Sequence, residues 1–98
     1  MSVDTHSGET VFESAPCVGW VVEASWIRTI DDCSRRSMRL DYPDAAVWEL
    51  LMQGRSVAET ARMMQWIAGL SPAQAADLVE TMSAQWESAK WIRRRRRQ

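Results

Sequence analysis

A chain of 98 residues fits one compact domain and not two, and 46% apolar against 26% charged residues is the balance of an ordinary globular protein. Net charge is −1, but Arg93 to Arg97 hold five of the 12 Lys and Arg; seven cations face 13 acids on residues 1–92, a net of −6. An acidic body with a basic end lacks the basic folded face of a nucleic-acid reader, so no nucleic-acid partner is expected.

Six of the eight aromatic residues are tryptophan. Either they fill the core or some of them stand at a surface that meets a partner. Cys17 and Cys33 are too few and too far apart for a CxxC redox motif or a zinc site, and His6 is the one histidine. Two free thiols in a reducing cytosol, with no metal and no cofactor, is the expectation. The start "MSVDTHSGET" has neither the basic nor the apolar region of a secretory signal. No apolar run approaches the roughly 18 residues needed to cross a membrane. A cytoplasmic protein without membrane contact is expected, and the opening Met reads as the start of a discrete protein.

Residues 1–16 are polar, end on Pro16 and read as a flexible N-terminal segment. Val18, Trp20, Val22 and Ala24 then alternate, and Trp26 to Asp31 form a second extended run with β-branched Ile27, Thr29 and Ile30. "DDCSRR" is a turn signal. In the third run, Arg36 to Asp41, Met38 and Leu40 face one way while Ser37, Arg39 and Asp41 face the other, the pattern of a half-buried strand. Pro43 suits the first turn of a helix whose Val47, Trp48, Leu50, Leu51 and Met52 leave it apolar on most sides, and Gly54 is placed to end it. Ser56 and Glu59 form a capping box for a second helix with Val57, Ala61, Met64 and Ala68 inward, closed by Gly69. Ser71, Pro72 and Gln74 open a third helix, in which Ala75, Val79, Met82, Trp86 and Ala89 recur at helical spacing. Three strands followed by three helices predict an α+β domain with helices over one face of a three-stranded antiparallel sheet. The third strand is then a free edge, and Arg35, Arg36 and Arg39 either block it or attract an acidic peptide.

The stretch "MRLDYPDAAVWELLMQGRSVAETARMM" resembles the PqqD-like family, the RiPP recognition element. Leu40-Asp41 ends the strand, and Ala45, Ala46, Val47, Trp48, Leu50, Leu51 and Gly54 match the family's Ala-rich "aaxIWxLLxG" helix. Ser56, Val57, Glu59 and Ala61 match its "tvxEia" helix start. The likeness covers residues 36 to 68 well and the flanks in pattern only; the ending "AKWIRRRRRQ" departs from the family's "GLI"-like segment.

The resemblance implies a winged-helix-like, non-catalytic module over residues 17–92 with a basic tail at 93–98. Its partner would be the leader segment of a ribosomally made precursor peptide, held as an added strand and presented to a separate maturation enzyme, a radical SAM enzyme or cyclodehydratase, lanthionine or lasso-forming machinery. Carried over by position, Arg36, Ser37, Met38, Arg39, Leu40 and Asp41 would form the ladder, and Leu78, Met82, Gln85 and Trp86 the opposite wall. For Met82 and Trp86 the plain alternative is core packing.

Three rivals stand beside this reading. A DNA-binding helix-turn-helix would use the third helix, yet Ser71 to Trp86 carry no Lys or Arg. An enzyme would need a convergent nucleophile, acid–base pair or metal, which one histidine and two isolated cysteines do not supply. An assembly subunit would bind a protein other than a leader. An uncovered edge strand also suits pairing with a second copy, a homodimer.

Overall fold

Three strands and three helices run in the expected order, and the two ends of the described chain add a small sheet of their own. The structure, a computed structural model, describes residues 8–95. The strands are β1 (Phe12–Ser14), β2 (Val18–Val22), β3 (Trp26–Asp31), β4 (Arg36–Asp41) and β5 (Ile92–Arg94); the helices are α1 (Asp44–Met52), α2 (Val57–Ala68) and α3 (Pro72–Ser88). Among the described residues β2-β3-β4 form one antiparallel sheet and β1-β5 another, so the domain is α+β as expected.

The register explains which side chains reach the core. Val22, Ile27 and Leu40 align across the sheet, as do Trp20, Thr29 and Met38, and Val18, Asp31 and Arg36. These rows face the helices, because side chains alternate sides along a strand. Ile27, Thr29 and Leu40 are buried, and the Thr29 hydroxyl donates to Met38 O at 3.2 Å.

Each helix is delimited as its sequence predicts. Both capping boxes form: Ser56 Oγ accepts from Glu59 N, Ser71 Oγ accepts from Gln74 N, and each N3 side chain accepts from the cap N–H in return. Such caps contribute about 1 kcal/mol apiece. The Ser56 N–H holds the Glu59 carboxylate below its ordinary pKa. Gly54 and Gly69 take the left-handed backbone that closes α1 and α2, at φ of 89° and 65°. On α1, Ala45, Val47, Trp48, Leu50 and Leu51 are buried, so the helix is enclosed on most sides. On α2 the inward row is Val57, Thr60 and Met64, with Ala61 and Ala68 only half-buried. On α3, Ala75, Val79, Ser83 and Trp86 are inward, Met82 is half-buried, and Ala89 caps the helix at the surface.

The tryptophans divide. Trp48 stacks edge-to-face with Trp20 at 5.8 Å and with Trp86 at 5.3 Å, tying β2, α1 and α3 together. Trp48, Trp86 and Trp91 are buried, Trp26 is half-buried, and Trp20 and Trp66 are exposed.

Two expectations fail. Cys17 and Cys33 are not free: they form a disulfide, Cα–Cα 5.7 Å, at the open end of the β2–β3 hairpin. Their spacing matches no local motif because antiparallel pairing, not sequence proximity, brings them together. The thiol-based argument for a reducing compartment falls with it. Second, the two ends of the described chain are built into the fold. Phe12 is fully buried, β1 pairs with β5, and Ala15 N donates to Trp91 O. Val57 N and Ala58 N donate to Thr10 O and Gly8 O, fastening the N-terminal segment to the start of α2. Arg93 and Arg94 are strand residues paired with Glu13 at 2.7 Å and Glu87 at 3.0 Å. His6, Arg96 and Arg97 lie outside the described residues.

Candidate functional site

The β4 edge is open, and two backbone bonds establish which of its groups point outward. Glu23 N donates to Trp26 O and Asp32 N to Cys17 O, so the even residues of β3 face β2. Alternation in an antiparallel ladder then turns Ile27, Thr29 and Asp31 toward β4, where they meet Leu40, Met38 and Arg36. The backbone N–H and C=O of Ser37, Arg39 and Asp41 face away from the sheet. They form a row of donors and acceptors with no strand partner among the described residues.

Behind this edge α1 packs against both β4 and α3. Arg36, at the start of β4, donates through Nη1 to Ala89 O at 2.9 Å, just past the end of α3. Tyr42, directly after β4, donates its hydroxyl to Ile67 O at 3.0 Å, near the end of α2. The β4 rim is thereby pinned at both ends. Leu78 and Met82 are half-buried hydrophobics packed on the core, and Gln85 is exposed. Their spacing puts them on one helix face. Trp86 is buried against Trp48, so it belongs to the core.

The charges are arranged in two groups. Arg36 pairs with Asp31 at 3.1 Å and lies over the Trp91 ring at 4.3 Å. Asp31 also accepts from Cys33 N and Ser34 N, and the hydrogen bonds from Ser34 are the chief reason its carboxyl sits below the usual range. Arg36 is therefore a latch between β4 and the end of α3. On the opposite face of the sheet Arg39 pairs with Asp41 at 3.1 Å and covers Trp26 at 4.3 Å, both groups well exposed. Such an exposed pair contributes about 1 kcal/mol at most. Burial, and then the Asp41 charge, push the Asp44 carboxyl up.

The sequence singled out Arg36 to Asp41 and Leu78, Met82, Gln85 and Trp86 as candidates, but not Tyr42. Its signal was available: a tyrosine between strand and proline, where its hydroxyl can reach a helix end. Nor did the sequence single out the outer row of α2, where Arg55, Glu59, Arg62, Met63 and Trp66 line a hollow of about 320 Å³ and Trp66 is 89% exposed. Among the described residues no three His, Cys, Asp or Glu side chains converge to hold a metal, and no helix is long and apolar enough to cross a membrane.

No family model matches the chain, and no curated protein matches it. Among solved structures it is similar to one described as lasso peptide synthetase B1 complexed with the leader peptide. Identity is 15% and the TM-score 0.77, over 84% of this chain and 96% of that one. At that identity the likeness establishes a shared fold, here the three-stranded antiparallel sheet with three helices.

Proposed function

We propose that this chain is a non-catalytic peptide-binding module. It captures an extended leader segment of a ribosomally made precursor peptide as a fourth strand on β4 and presents the remainder to a separate maturation enzyme. Ser37, Arg39 and Asp41 offer the backbone ladder, and Arg36, Met38 and Leu40 hold the strand from the core side. Leu78, Met82 and Gln85 form the facing wall, backed by Trp86. Main-chain bonds supply affinity in this mode, and side-chain pockets supply selectivity.

The observation that carries the reading is the open β4 edge, fixed at both ends beside an apolar helix face. The fold shared with a protein solved in complex with a leader peptide supports it. The chemistry belongs to the enzyme served, a radical SAM enzyme or another peptide-modifying catalyst, and this chain needs no cofactor for its part.

The test is a titration, followed by intrinsic tryptophan fluorescence, with synthetic leader segments of short precursor peptides encoded beside the gene. Arg39→Pro is the control. Its N–H faces outward, so proline removes a donor offered to the ligand while sparing the β3–β4 ladder. Micromolar or tighter binding to one leader, lost in Arg39→Pro, is the expected result. Equal binding by both proteins ends the strand-addition reading.

A second reading, an assembly subunit for a folded protein, is favoured by one observation, the exposed Trp66, which lines a hollow with Arg62 and Met63 on the outer row of α2. Trp and Arg are the residues enriched in interface anchors. Retained leader binding by Trp66→Ala, with weakened binding to the co-encoded maturation enzyme, would assign that row to the enzyme.

A further inference from the structure

The sheet has a second open edge, β2, and it lacks the charge that β4 carries. Natural edge strands are guarded by charge, proline, a bulge or a covering element. β2 reads Val-Gly-Trp-Val-Val, five residues with no charge and no proline. Val21 is 50% and Val22 56% exposed, and β3 is the one strand paired with β2 among the described residues. The same phase that turns Ser37, Arg39 and Asp41 outward on β4 turns the N–H and C=O of Trp20 and Val22 and the C=O of Val18 outward on β2, Val18 N–H being bonded to Ala15 O at 3.1 Å.

We propose that β2 is a self-association edge and that its occupant is β2 of a second copy, antiparallel across a two-fold axis at Trp20. In that register Val18 of one copy lies opposite Val22 of the other and Trp20 faces Trp20; the two Trp20 residues exchange both their bonds and Val22 N–H donates to Val18 O of the other copy, while Val18 N–H stays on Ala15 O of its own chain. Identical strands paired about a two-fold must tolerate their own charges, and opposed like charges destabilise a cross-strand pair. β2 brings none. Glu23, the nearest acid in sequence, lies beyond the end of the strand. The product is one six-stranded sheet in the order β4-β3-β2-β2-β3-β4, with both docking edges at its outer margins. Dimerisation through β2 therefore leaves β4 free for peptide on both copies.

The experiment is sedimentation velocity on the full chain over a range of concentrations up to about 1 mM, where associations weaker than millimolar fall out of view. It compares wild type, Val22→Lys, Val22→Thr and Arg39→Pro, each checked for native circular dichroism; Val21→Lys replaces Val22→Lys if the latter fails to fold. A monomer–dimer equilibrium is expected for wild type and Val22→Thr, with the dissociation constant raised about tenfold or more by the lysine and unchanged by Arg39→Pro. A wild type that stays monomeric throughout overturns the proposal. So does a dimer that Arg39→Pro abolishes and the lysine spares, because that dimer would use β4.

Discussion

The two margins of the three-stranded sheet solve the edge problem in opposite ways. On β4 the outward backbone belongs to Ser37, Arg39 and Asp41, whose side chains place a guanidinium and a carboxylate beside the open ladder. On β2 it belongs to Val18, Trp20 and Val22, none of them charged. A charged edge discourages indiscriminate pairing yet keeps its backbone groups available, so an added strand must match those charges as well as the ladder. An uncharged edge has no such filter and is best satisfied by a strand that matches it, which its own copy does. Each edge also has its own fastener. Covalent Cys17–Cys33 closes the hairpin that holds β2, while Arg36, bonded to Asp31 and Ala89 O, ties β4 to the end of α3.

Removing the covalent fastener should give the largest effect. The disulfide spans a sequence separation of 16, and closing a loop of about that length stabilises a fold by about 2–4 kcal/mol. Cys17→Ser with Cys33→Ser is expected to lower the urea midpoint accordingly, and a reducing agent should reproduce the shift in wild type and leave the double variant unmoved. If β2 and β4 are fastened independently, peptide affinity per folded molecule should change little.

The next effect sharpens the β4 side. Leu78→Ala removes apolar surface from the proposed α3 wall without touching the ladder, and about 1–2 kcal/mol of lost contact corresponds to roughly a tenfold weaker peptide complex. Leu78 is half-buried, so the same substitution also costs some stability; a urea titration separates the two. Unchanged affinity would move the ligand off the α3 wall. Self-association through β2 should not respond.

Much of this contrast was legible before any coordinates. The alternation in residues 18–41, the two capping boxes and the closing glycines locate three strands and three helices, because each signal is local. Met38 and Leu40 inward with Ser37, Arg39 and Asp41 outward follows from period two alone. What escaped depends on distant partners. Phe12–Ser14 is too short to show a period, and the arginine run looks like a solvated tail until Glu13 and Glu87 are brought against Arg93 and Arg94. The disulfide was hidden for the same reason, although writing Val18 opposite Asp31 would have put Cys17 within reach of Cys33. Arg36 carried no mark distinguishing a latch from a surface cation; its role depends on where α3 ends.

Breaking that latch tests whether β4 needs it. Arg36→Ala removes charge-assisted bonds to Asp31 and Ala89 O together with the stack on Trp91, and is expected to cost about 1–2 kcal/mol, since the side chain is partly exposed. Peptide affinity should fall along with stability, because the docking strand loses its anchor at one end. Arg36→Lys should recover little, as an ammonium cannot reproduce the fork of bonds.

The smallest effect is the pH dependence of the same latch. Hydrogen bonds from Ser34 first, and from Arg36 and Cys33 as well, hold the Asp31 carboxyl below its ordinary value of 3.8. A carboxyl whose folded pKa lies below its unfolded one binds protons more readily unfolded, so its contribution is present above about pH 4 and is lost as pH falls through the folded value. Urea midpoints for wild type and Asp31→Asn should differ at pH 7, with Asp31→Asn the less stable, and converge as pH falls through the folded value. Glu59 titrates in the same direction through its cap, so Glu59→Gln serves as the second comparison: it flattens its own share of the acid slope and leaves the Asp31 share intact. An Asp31→Asn gap that stays constant across this range would mean the latch works by hydrogen bonding alone, with no part for the carboxylate charge.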